Sequence, residues 1–116
     1  MKFKLIVVLV EDAKTDIVTD TARDAGATGA TVITSARGEG LNPKKTFFGL
    51  DLAGQRDVVL LLVEQHMSRQ ILETVAAAGR FEEEPGTGIA FQIDIEDAIG
   101  LSSQIATLEK QIEDQI

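Results

Sequence analysis

Apolar residues fall along this chain in two rhythms. Residues 3–10 (Phe-Lys-Leu-Ile-Val-Val-Leu-Val) form a short apolar run rich in β-branched side chains, the pattern of a buried strand. Glu11-Asp12 ends it. Over residues 12–25 the spacing becomes helical, with Ala13, Ile17, Val18, Thr21, Ala22 and Ala25 recurring on one side. Asp12 is placed to cap this helix and Gly26 to close it. Residues 28–35 and 56–63 give a second and a third strand. Met67, Ile71, Leu72 and Val75 mark a second helix ending in Ala76-Ala77-Ala78-Gly79, and residues 80–88 read as a loop. In residues 89–95, Ile89, Phe91, Ile93 and Ile95 alternate with Ala90, Gln92 and Asp94, the period of a half-solvated strand.

The connection between the second and third strands, residues 37–56, is unusually long. It carries Gly38, Gly40, Pro43, the basic pair Lys44-Lys45 and the aromatic pair Phe47-Phe48. Connections longer than about 12–15 residues in compact domains are usually functional or disordered. Recognition is therefore expected here.

The order strand, helix, strand, strand, helix, strand predicts an α+β, ferredoxin-like βαββαβ fold. Its sheet is antiparallel, and both helices lie on one face. The two halves echo each other: Leu9-Val10-Glu11 matches Leu62-Val63-Glu64, and Ala27-Thr28-Gly29-Ala30 matches Gly86-Thr87-Gly88-Ile89. The other face of the sheet needs a cover, and a further copy of the chain is the expected one. Past residue 101, Ser102-Ser103 can cap a last helix with Ile105, Leu108 and Ile112 along one stripe. The chain thus divides into a domain over residues 1–101 and a C-terminal helical extension over residues 102–116.

Composition narrows the function classes. The net charge is −8, which disfavours binding to nucleic acid or to an anionic membrane. There is no Trp or Tyr and there are five Phe, so no stacking platform for single strands is visible. No cysteine is present, which excludes disulfides and thiolate metal sites. The apolar run near the N-terminus is too short to span a bilayer, and a cytoplasmic protein is expected.

Three segments resemble the P-II signal-transduction family. They are Thr34-Ser35-Ala36-Arg37-Gly38-Glu39-Gly40, Thr87-Gly88-Ile89-Ala90-Phe91, and Ile95-Glu96-Asp97-Ala98-Ile99, which is similar to the family's Val-Glu-Asp-Ala-Val. The resemblance spans about residues 3–101. It implies a homotrimer that senses a small molecule, an adenine nucleotide above all, in clefts between subunits. It also implies a partner-binding T-loop, here residues 37–56, that docks on a regulated protein such as a membrane transporter or an enzyme. By position, Arg37, Gly38, Gly40, Gly86, Thr87 and Gly88 would be the ligand-side residues. Lys44, Lys45, Phe47 and Phe48 would be the partner side of the loop. No catalytic residue and no metal ligand are assigned.

The chain also departs from the family pattern. Ile89 stands where nitrogen-sensing members have a phosphate-binding lysine, and Gly100 and Ser102 stand near the family's arginines. With no Tyr, the family's uridylylated residue is absent. Each carboxylate of Glu82-Glu83-Glu84 would repel a phosphate at contact distance by about 1 kcal/mol in high dielectric. Another ligand, or a weaker nucleotide site, fits these departures better than the nitrogen sensors' usual one.

Plainer roles compete at each position. Gly38 and Gly40 can serve a turn or bulge. Lys44 and Lys45 read best as solvated loop charge, and Phe47-Phe48 as packing on the domain or across the trimer. Glu82-Glu83-Glu84 reads as a solvated run, with a divalent cation as the sharper alternative. His66, the one histidine, belongs to the start of the second helix beside Glu64, and Ser68, Ser102 and Ser103 fall at cap positions. No nucleophile–base pair is apparent, so an enzyme is not expected. The rival to a P-II-like sensor is a divalent-cation-binding trimer of the ion-tolerance type.

Overall fold

The computed structural model describes residues 1–36, 46–47, 50–51 and 55–115. Strand β1 (Phe3–Glu11) leads through a 3-10 turn (Asp12–Lys14) into helix α1 (Thr15–Asp24) and strand β2 (Thr31–Ala36). Two short strands, β3 (Thr46–Phe47) and β4 (Leu50–Asp51), pair with each other within the long connection. Strand β5 (Arg56–Glu64), helix α2 (Gln65–Ala78), strand β6 (Gly88–Ile95) and helix α3 (Ser102–Gln115) complete the chain.

The main sheet has the order β2-β5-β1-β6, and every neighbouring pair is antiparallel. This is the ferredoxin-like arrangement. Strand β1 is central. It pairs with β5 from Phe3↔Glu64 to Glu11↔Arg56 and with β6 from Phe3↔Ile95 to Val10↔Gly88.

Side-chain alternation assigns the faces. Ile6 and Val8 stand opposite Leu61 and Val59, and all four are fully buried. Val18 and Ala22 of α1 and Ile71 and Val75 of α2 join them in one core, so both helices cover this face. The opposite face holds Leu5, Val7, Leu9, Val58, Leu60 and Leu62, all half-buried. Along its edges Ile33, Phe91 and Ile93 are 49%, 38% and 48% exposed.

Strand β6 therefore alternates the other way from a half-solvated strand with an apolar inner face. Ala90 packs against the core, while Phe91 and Ile93 point away from it. The reason is space: α2 lies over β6, and small side chains let it approach.

The helix ends separate along the same lines. Gly26, at φ 117°, closes α1, with the Ala27 amide reaching back to the Ala22 carbonyl at 2.9 Å. Asp12 does not cap α1. The backbone makes a tight turn first, and α1 begins at Thr15 with no side-chain cap. Strand β2 starts at Thr31 rather than 28, because the chain must first leave that helix closure. Glu64 caps α2: one carboxylate oxygen accepts from the His66 amide at 2.8 Å, and the other lies 2.5 Å from His66 Nδ1. In α3, Leu108 is buried in the core cluster and Ile105 packs against it, while the side chain of Ile112 lies outside the described residues. Among the described residues, no helix is long and apolar enough to cross a membrane.

Candidate functional site

Antiparallel pairing brings four chain segments to one end of the sheet. They are the end of β1, the end of β2, the start of β5 and the start of β6. The β2–β5 connection leaves and re-enters the sheet at this end, and the 80–87 loop enters β6 here. Consecutive amides at the end of β1 tie them together. The Glu11 amide donates to the Thr87 carbonyl at 2.9 Å, and the Asp12 amide donates to the Gln55 carbonyl at 3.3 Å. Across the base of the longer loop, the Ser35 hydroxyl donates to Gln55 Oε1 at 3.2 Å. Ser35 holds φ at 59°, where β2 shifts register against β5 between Ile33 and Ala36.

Polar side chains are concentrated beneath these loops. The Thr15 hydroxyl donates to the buried carboxylate of Asp57 at 2.6 Å. Arg56, one residue back in β5, is also buried, and its Nη1 donates to the Gln55 carbonyl at 3.2 Å. Lys14 reaches from the 3-10 turn into the 80–88 loop, with its side chain only 15% exposed. Its ammonium donates to the Gly79 carbonyl at 2.6 Å, to Thr87 Oγ1 at 3.1 Å, and to Glu84 Oε1 and Oε2 at 3.2 and 3.3 Å. The Thr87 hydroxyl in turn donates to the Glu84 carbonyl at 2.7 Å.

Among the sequence-predicted ligand residues, Gly86, Thr87 and Gly88 come together at this end. Gly86 has φ 84°, the left-handed region that favours glycine. Gly88 has a packing reason of its own, because a Cβ there would overlap the Phe81 ring. Arg37, Gly38, Gly40, Lys44, Lys45 and Phe48 lie outside the described residues. Phe47 belongs to β3, of which the backbone alone is described. The three consecutive glutamates separate in role: Glu82 and Glu83 are exposed, and Glu84 turns in to Lys14. Among the described residues, no three carboxylate or histidine side chains could jointly hold a metal ion.

Sequence reading passed over Lys14. The available signal was its isolation, since no other basic residue occurs between Lys4 and Arg23. Its partner lies 70 positions away in the chain, and no periodicity connects them.

Cavities also lie elsewhere among the described residues. One of about 470 Å³ on the open face of the sheet is lined by Phe3, Leu5, Leu60, Leu62 and Leu101, so the chain returns to that face after β6. Another, of about 880 Å³, lies at the far end of β1, where Glu96, Asp97 and Ala98 form part of its wall. Within it the Lys4 ammonium is 2.8 Å from Asp94 Oδ1. The hydrogen bond and charge of Lys4 hold the Asp94 carboxyl below the usual carboxylate range.

The sequence model of the family described as Nitrogen regulatory protein P-II matches residues 3–104. The chain belongs to the P-II family. The match takes in the whole P-II sheet and both helices on it, and most of α3 lies past its end.

Solved structures share this P-II fold at low identity. A PII-like signalling protein of Thermus thermophilus is 21% identical, with a TM-score of 0.60, over 82% of this chain and 88% of that one. The apo form of CPII from Thiomonas intermedia, a nitrogen regulatory PII-like protein, is 20% identical, with a TM-score of 0.62, over 82% and 90%. CPII bound to ADP, AMP and acetate is 19% identical, with a TM-score of 0.61, over 83% and 90%. No curated protein sequence matches at a significant level.

Proposed function

We propose that this P-II protein is a cytoplasmic homotrimeric regulator without catalytic chemistry. It would bind an adenine nucleotide in clefts between subunits and signal to a partner protein through the 37–56 loop. The observation that carries this reading is the pair of adjacent amides at the end of β1. Glu11 holds the 80–88 loop and Asp12 holds the foot of the 37–56 loop. A ligand that moves one loop pulls on the other through two bonds of a single strand end. That is the linkage an order–disorder switch needs.

The apolar open face supports the assembly. Fully burying a Phe or Ile side chain contributes roughly 1.5–3 kcal/mol, and this face presents Ile33, Phe91 and Ile93 beside six half-buried residues. Two further copies packed on the same face in a closed ring would cover it. CPII, a protein of the same fold, has been captured with ADP and AMP, which makes these nucleotides the first ligands to try. The partner, by family resemblance, would be a membrane transporter or an enzyme.

Isothermal titration calorimetry with ADP, AMP and ATP, together with mass measurement in solution, tests the reading. Saturable heat at one site per chain, in a species of three times the 12.5 kDa chain mass, is the expected result. A monomer that gives no heat with any of the three would overturn it.

A further inference from the structure

Lys14 spends its charge on an internal partner. Its ammonium is enclosed by the Gly79 carbonyl, the Thr87 hydroxyl and both oxygens of Glu84. On the far side of that carboxylate stands Arg80, with Nε 3.7 Å from Glu84 Oε2. An ammonium and a guanidinium thus converge on one carboxylate. Proteins use the same donor set to bind phosphate and carboxylate ligands.

The carboxylate is also the removable part of the arrangement. Lys14 is mostly enclosed and stays anchored by Gly79 and Thr87, whereas the Glu84 side chain is 41% exposed. The turn itself is held through the Glu84 backbone. Its amide donates to the Arg80 carbonyl at 2.9 Å, and its carbonyl accepts from the Thr87 amide at 3.3 Å and from the Thr87 hydroxyl. The side chain can therefore swing into water while the loop keeps its shape.

We propose that Glu84 is a built-in occupant of an oxyanion site formed by Lys14 and Arg80. A phosphate group of an incoming ligand binds there by displacing it. The identity of the physiological anion rests on the nucleotide reading above; the site does not. Glu84 then acts as a selectivity device. An anion carrying a single charge only replaces what Glu84 already supplies, while a phosphate dianion improves on it. The residues involved are not the glycines and lysine by which the family's second loop is ordinarily described. They restore a cation to a loop whose Ile89 supplies none.

The test is calorimetric titration of the full chain with inorganic phosphate and, separately, with ADP. Wild type, E84Q, E84A and the double variant K14M/E84Q are compared, with circular dichroism as the check on folding. E84Q and E84A should each bind phosphate about tenfold tighter than wild type, and K14M/E84Q should lose that gain. Phosphate affinity in folded E84Q or E84A that equals or falls below wild type overturns the proposal. A gain retained in K14M/E84Q also overturns it. Tighter phosphate binding with no response to ADP in any variant upholds the site and refutes the nucleotide reading. ADP binding that is indifferent to E84Q, with no phosphate gain, does the reverse.

Discussion

The amide of Glu11 donates to the carbonyl of Thr87 across 2.9 Å, at the last residue of the central strand. One residue on, the Asp12 amide serves the foot of the long loop through Gln55. These bonds follow from the register of β1, which sets Glu11 opposite Arg56 and Val10 opposite Gly88. The loop end of the sheet is therefore one mechanical unit, although its parts come from four separate stretches of sequence.

Thr15 and Asp57 fix the start of α1 to β5 beneath that unit. Replacing Thr15 with Val keeps the volume but removes the donor to a buried carboxylate. The expected cost is about 1–3 kcal/mol, read by urea unfolding. Thr15→Ser should recover most of it. Equal loss in both variants would place the effect in packing rather than in the hydrogen bond.

Gly88 and Phe81 make a second pair. A methyl group at residue 88 would overlap the Phe81 ring. Gly88→Ala should therefore destabilise by about 1–3 kcal/mol. Adding Phe81→Leu should bring back part of that stability, which a double-mutant cycle in urea would measure. Strictly additive effects would contradict the overlap.

The open face of the sheet predicts the assembly. Phe91→Glu puts a charge on the apolar surface that the trimer would bury. Light scattering should find the wild type at three times the chain mass and this variant dissociated. An assembly of unchanged mass would show that the face is covered in some other way.

Asp94 gives a pH dependence of known sign. Its carboxyl is held down by the hydrogen bond and then the charge of Lys4, so the folded value lies below the unfolded one. The contribution to stability is present above the unfolded carboxylate value, near pH 4, and fades as pH falls through the lower folded value. Asp94→Asn should lower the melting temperature slightly at pH 7 and not at all well below pH 3. Salt should shrink the difference, because the Asp94 side chain is 86% exposed. A difference that grows in acid would contradict the assignment.

Much of the fold was legible in the sequence. The β-branched runs at 3–10 and 56–63 placed the two central strands within one residue, and Met67, Ile71 and Val75 marked the buried stripe of α2. Glu64 and His66 met at the start of α2 as their spacing suggested. Asp12 was misleading, because a good capping residue after a strand can equally open a tight turn, and here the bond from its amide to Gln55 decides the matter. The inner face of β6 was hidden for another reason. Alternation shows that two faces differ, while only the helix above tells which one is inside. Of the candidate site, Gly86 and Thr87 were named from the family resemblance. Lys14 and Glu84 were not, since nothing local in either segment announces a pairing across the fold.

Hydrogen exchange followed by mass spectrometry, with and without ADP, reads the coupling of the two loops most directly. The expected result is slowed exchange in residues 80–88 and 34–56 together, with the buried strands unchanged. Slowing in neither segment, or in residues 80–88 alone, would contradict a ligand-set switch at this end of the sheet.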